Sequence, residues 1–456
     1  RFVRSPFFHQ HAESIQYFKL LKPAYPAFAE EDLPAERLFA KIYPQESFDD
    51  NKLRTLRKYL LKLLYRFLQY EASERDGSFE KHHLLRDLLE RNLPDDYQRQ
   101  AQQIQAELEE QPLRNEVYYQ ESFYLQRLEM HYNTQYLSRL SPQAFEGMHQ
   151  RLNDAFVIQK LELYCATLNR QRLRTDAPQA DPIRKLVLQY CEQQGEALPD
   201  LARAYFYCLD LLRRTKDPEP LAKLLRILQS TGRKAFPEGH KTNLYSHAIN
   251  YCNDQYRAGK VKYLGKMLDI YRQMLEQELL FENGQLSTHQ YKNITTLGLR
   301  TGDLAWTEQF IVAYRTRLDP AYREGVYHYN MAHLRQYQQE FSKALQHLQQ
   351  VDFIDPFYRI SYQMLLLKIF YECEEIEPLL ALAQTFRTFI RRKEELPKEQ
   401  QLAYTNFARY LRALFMIKIG KKHKLKALRE KIAQSQTLIE RQWLEAKADQ
   451  LTRTAQ

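Results

Sequence analysis

"YNMAHLRQYQQEFSKALQHLQQVDFIDP", Tyr329 to Pro356, reads as two amphipathic helices joined by a tight turn, with a proline just past the second. Its small residues Ala332 and Ala344 sit one on each helix, where antiparallel helices need them to bring their backbones together. Leu348 and Val351 continue the apolar face behind Ala344. One such hairpin buries only half of its apolar surface, so it implies neighbours of the same kind.

Those neighbours are visible as a spacing. Asn250-Tyr251-Cys252, Asn293-Ile294-Thr295, Asn330-Met331-Ala332 and Asn406-Phe407-Ala408 share one order: asparagine, large apolar, small. The steps between the asparagines are 43, 37 and 76 residues, and a degenerate unit around "YQMLLLKIFYE" fills the double step. A period near 38 belongs to helix-turn-helix arrays.

On these residues the stretch 329–356 resembles a tetratricopeptide repeat, with Ala332 and Ala344 on its small positions and Asp355-Pro356 closing the unit. The unit before it, "YKNITTLGLRTGDLAWTEQFIVAYRTRLDP", is similar, with Gly302-Asp303 at the turn. It departs where Thr307 replaces the alanine of the second helix, which predicts looser packing. The likeness spans roughly 240–435 and is fainter near 242–282 and 399–433; the N-terminal half carries no assignable motif. The mixed build resembles that of bacterial helical-repeat proteins.

Composition agrees with an all-α chain. Among 456 residues there are only 12 glycines and 18 prolines, against many Leu, Gln, Arg, Glu, Lys and Ala. Phosphate-cradling loops and doubly wound nucleotide folds need glycine at fixed positions and are not expected. The predicted organisation is an irregular helical domain over 1–115, a long-helix connecting region over 116–180 and tetratricopeptide-like repeats over 181–456, with "TDAPQADP" (175–182) as linker. Within the first part, Asp49 and Asp50 are placed to cap a helix whose Leu53, Leu56, Leu60, Leu63, Leu64 and Leu68 predict one buried face.

Five scattered cysteines (Cys165, Cys191, Cys208, Cys252 and Cys373) form no CxxC pair, and four follow a tyrosine in an apolar helical pattern. They read as small core residues of a reduced, cytoplasmic chain. No apolar run reaches the ~18 residues of a membrane span. "RFVRSPFFHQ" at the start lacks a signal-peptide core and reads as the interior of a longer chain.

No HExxH, GxSxG or phosphate loop is present, and the paired acids read as caps and solubilising charge. The expectation is a non-enzymatic protein with no catalytic residue, no cofactor and no metal. The resemblance implies that first helices line a concave groove, where an asparagine amide can both donate to and accept from an extended peptide. Candidates for that groove are Asn250, Asn253, Asn293, Asn330, His333, Tyr337 and Asn406, with hydrogen bonding between neighbouring repeats as the alternative role of the asparagines. The leading expectation is a scaffold binding a peptide or helix of another protein.

The runner-up is a nucleic-acid-binding repeat protein. It rests on the net charge of +10 and on "KIGKKHKLKALREK", whose Lys418, Lys421, Lys422, Lys424, Lys426 and Arg429 would form a phosphate-binding strip. Its alternative is a solvated helix face.

Overall fold

The structure is a computed structural model that describes residues 11–26, 28, 33–76, 78–137, 142–173, 181–213, 217–230, 236–352, 356–420 and 425–454. These residues are helical almost throughout. The only strands among them, Phe281–Glu282 and Gln285–Leu286, form a minimal hairpin. Asn283 and Gly284 make its turn with φ of 51° and 78°, as a two-residue hairpin of this type requires.

Contacts group the chain into two compact units, residues 1–166 with 177–203, and residues 167–176 with 204–456. Most of the expected linker, 175–180, lies outside the described residues. Its Asp181 accepts hydrogen bonds from Lys160 Nζ and Tyr164 OH, both at 2.7 Å. These bonds hold the carboxyl well below its ordinary range, at about 2.

The first unit carries α1 (Ala12–Leu21), α2 (Ala35–Ile42), α3 (Asp50–Asp76), α4 (Ser78–Glu90), α5 (Pro94–Glu110), α6 (Glu116–Tyr132), most of α7 (Pro142–Leu173) and α8 (Arg184–Gln194). Asp49 caps α3 by accepting from the amides of Asn51 and Lys52. Leu53, Leu56 and Leu63 of α3 are buried as expected, but Leu64 and Leu68 stand 48 % and 47 % exposed. The reason is length: α3 runs for about 40 Å, beyond the α1–α2 pair that covers Leu53 and Leu56.

The second unit is a succession of antiparallel helix pairs. After α9 (Asp200–Leu212) and α10 (Glu219–Ser230) come α11 (Glu238–Arg257) with α12 (Tyr263–Glu276), and α13 (Thr288–Thr301) with α14 (Leu304–Ala313). Then follow α15 (Arg323–Tyr337) with α16 (Phe341–Gln349), α17 (Pro356–Glu372) with α18 (Ile376–Arg391), and α19 (Lys398–Lys418) with α20 (Leu425–Gln434), closed by α21 (Arg441–Thr454). From α13 to α19 each first helix packs on the next first helix, whereas the second helices make no contact of that extent among the described residues. The first helices therefore form the crowded side of the array. This is the adjacent packing of an all-α solenoid.

Residues 329–349 form the C-terminal part of α15 and all of α16, with Gln339 in the left-handed region (φ 63°) at their turn. Pro356 becomes the first residue of α17, where a missing N–H is harmless. Cys252, Ala332 and Ala344 are fully buried.

Thr307 corrects the expectation of looser packing. It is fully buried, its hydroxyl donates to the Asp303 carbonyl at 2.7 Å, and it packs directly onto Gly298 of α13. The glycine on the facing helix takes up the volume that the threonine adds. Gly298→Ala should therefore cost about 1–3 kcal/mol by overpacking, and Thr307→Ala should restore most of it in the double variant. Equal melting temperatures for wild type and Gly298→Ala would show that this contact is slack.

Candidate partner-binding site

The asparagine series falls on the first helices, Asn250 on α11, Asn293 on α13, Asn330 on α15 and Asn406 on α19. It does not form one row of water-facing amides. Asn250 and Asn293 are exposed and Asn253 is half-buried, but Asn330 is fully buried and Asn406 nearly so. Asn330 Nδ2 donates to the Val326 carbonyl at 2.7 Å and to Tyr358 OH at 3.3 Å. Tyr358 OH in turn donates to the Thr288 carbonyl at 2.8 Å, so this amide ties α15 to α17 and α13. The physical reason is crowding: successive first helices approach so closely here that a short side chain at their contact has no route to water.

Asn406 is equally structural in its bonding. Its Nδ2 donates to the Thr437 carbonyl at 2.9 Å and so fixes the segment between α20 and α21. Arg441 grips the other side of that segment, its guanidinium donating to the carbonyls of Ile432, Ala433 and Ser435 at the end of α20. Donors at a helix C-terminus satisfy its orphan carbonyls.

Between these anchors the chain presents Glu440, a non-glycine residue held in the left-handed region at φ 52°. Its carboxylate accepts from Lys368 Nζ of α17 at 2.6 Å and lies 4.0 Å from Arg300 Nη2 of α13. Burial alone would raise the Glu440 carboxyl, but Lys368 and Arg300 outweigh it and hold the group below its usual range. Lys368 is buried and lies over the Trp443 ring, 5.6 Å from its centroid.

His333 and Tyr337 of α15 complete the cluster. Their rings meet edge to face at 5.4 Å, and His333 also lies 6.1 Å from the Tyr329 ring. Burial, reinforced by Lys368, pushes the His333 imidazole down to about 3, so it is neutral at physiological pH. Its Nδ1 is buried with no hydrogen-bond partner among the described residues. Tyr337 reaches solvent, at 39 % exposed, with Arg300 beside it and exposed as well. Sequence reasoning singles out His333 and Tyr337 but misses Arg300 and Lys368, whose only signal is charge inside otherwise apolar helical patterns, and Glu440, which lies in the turn before α21.

The basic candidates disperse. Lys421, Lys422 and Lys424 lie outside the described residues. Lys418 is folded in: its ammonium donates to the Tyr371 carbonyl at 3.0 Å and pairs with Glu374 at 3.2 Å, closing the end of α17. Arg429 pairs with Asp449 at 2.9 Å, and Lys426 is exposed.

Elsewhere, a cavity of about 60 Å³ lined by Lys81, His82, Glu107 and Glu121 has room for water rather than for a metabolite. Among the described residues no group of His, Cys, Asp and Glu is arranged to hold a metal ion, and no helix is long and apolar enough to cross a membrane. No family model, curated protein or solved structure matches the chain.

Proposed function

We propose that the second unit is a non-enzymatic interaction scaffold, a tetratricopeptide-like array that takes a peptide or helix of another protein along its first helices. The supporting observation is Tyr337. A large ring on the crowded side of the array is 39 % exposed, backed edge-on by a half-buried neutral histidine and flanked by a guanidinium. Rigid aromatic surface beside arginine is the commonest composition of an energetically dominant contact. Exposed Asn250 and Asn293 on α11 and α13 offer further amides that can meet a peptide backbone. A cytoplasmic setting fits five cysteines that form no disulfide with one another.

The test is capture of partners from source lysate by wild type and by a Tyr337→Ala, Asn293→Ala double variant, with and without nuclease. Asn293 is exposed and Tyr337 partly so, so the melting temperature should fall little while capture of the specific partner weakens about 30-fold or more. Undiminished capture by the variant overturns the reading. Capture abolished by nuclease favours the nucleic-acid alternative, in which Lys426 and the neighbouring lysines would carry the contact.

A further inference from the structure

Helix α7 is apolar on two sides. One side, with Asp154, Val157, Ile158, Leu161, Tyr164 and Cys165, is buried. The other carries Phe145, Leu152, Phe156 and Leu163, which stand 40 %, 47 %, 41 % and 58 % exposed. With exposed His149 and Gln159 between them, these residues recur at alternating steps of four and three. That is the spacing of a coiled-coil seam, which keeps one stripe facing a partner helix over its whole length. The stripe from Phe145 to Leu163 is about 27 Å long.

We infer that this stripe is an interface with a second copy of the chain, the two α7 helices lying antiparallel about a two-fold axis that passes between Leu152 and Phe156. The order of residues is self-complementary in that register. Phe145 faces Leu163 of the second copy, Leu152 faces Phe156, and the polar layer pairs His149 with Gln159. Every apolar layer then matches one phenylalanine with one leucine, and the helix dipoles oppose. A parallel pair would stack phenylalanine on phenylalanine and leucine on leucine, leaving layers of unequal width.

Area supports this occupant. Each of the four side chains offers roughly 90 Å² (about half of the ~200 Å² that a large apolar side chain can bury), hence on the order of 350 Å² per copy. That equals the largest apolar patch of a typical monomer. Two copies remove about 700 Å² through these residues alone. The flanking His149, Gln159 and Ala166, all exposed, carry the total towards the roughly 1,200 Å² at which specific interfaces begin.

The experiment is sedimentation equilibrium of the full chain, with a cross-linking arm. The wild type should be a dimer in the micromolar range. Leu152→Glu with Phe156→Glu should weaken association at least about 30-fold while the melting temperature holds, because both residues are exposed. Gln159→Leu should tighten it. In a Cys373→Ser background, which removes the exposed native thiol, oxidising a mixture of Phe145→Cys and Leu163→Cys chains should give the mixed disulfide dimer. Leu163→Cys alone should give none, its two copies lying about 27 Å apart along the seam. The cross-linking arm leaves the seam free of added charge and stands even where the glutamate variant unfolds. A monomeric wild type, a dimer indifferent to the glutamates, or Leu163→Cys cross-linking to itself would each overturn the proposal, the last in favour of a parallel pair.

Discussion

Glu440→Ala is expected to cost the second unit about 3 kcal/mol of stability. Removing one partner of a buried ion pair leaves the other charge buried and uncompensated, at about 3–5 kcal/mol. The side chain of Lys368 is 9 % exposed and that of Glu440 27 %, which points to the lower end. Alanine also leaves the left-handed backbone at position 440 in place, so the lost charge dominates. Glu440→Gln keeps an acceptor for the Lys368 ammonium and should lose less, about 1–2 kcal/mol. Lys368→Met with Glu440→Gln should be more stable than Lys368→Met alone, because an amide tolerates partial burial better than a carboxylate left with only the guanidinium of Arg300 at 4.0 Å. Both tryptophans of the chain, Trp306 and Trp443, belong to this unit. Urea unfolding followed by their fluorescence therefore reads it selectively. A Glu440→Ala curve superimposed on the wild type would mean that water already solvates Lys368.

The same cluster shows where the sequence is legible and where it is not. Ala332 and Ala344 are readable because the need for a small residue at a helix crossing is local, and a regular spacing betrays it. Asn330 is readable as an inner-face residue but not as a buried one. Its burial depends on how near α17 comes, and the partner that settles this, Tyr358, lies 28 residues on. Arg300 and Glu440 are farther apart still, and no spacing rule joins a residue of one pair to the turn before the last helix. Thr307 misleads for a related reason. Its effect on packing is set by Gly298 on the facing helix, so the pair and not the residue carries the information. Leu64 and Leu68 extend a face that the rest of the unit is too short to cover. Periodicity reveals which side is apolar but not where the covering layer stops.

Asp154 makes the first unit's stability fall as the pH rises. The carboxyl is buried in the core side of α7 and, among the described residues, accepts one hydrogen bond, from Gln150 Nε2 at 2.9 Å. Burial pushes it up from 3.8 to about 6, although the Gln150 bond and the neighbouring Arg151 pull the other way. In the unfolded chain it keeps the ordinary value. Between these two pH values the folded state binds the extra proton, so stability gained by protonation is complete below 3.8 and lost as the pH climbs through about 6. The burial penalty at pH 8 is about 3 kcal/mol. His82, whose pKa burial lowers, acts in the opposite sense over part of this range, and Asp181 acts only below 3.8. The comparison must therefore be between wild type and Asp154→Asn at each pH. Hydrogen exchange of the amides around Ile158 and Leu161 reads the right unit. Asp154→Asn should protect them better than wild type at pH 8, and the advantage should shrink to nothing or reverse at pH 4. An advantage of the same size at both pH values would place the carboxylate in water and remove the burial on which this dependence rests.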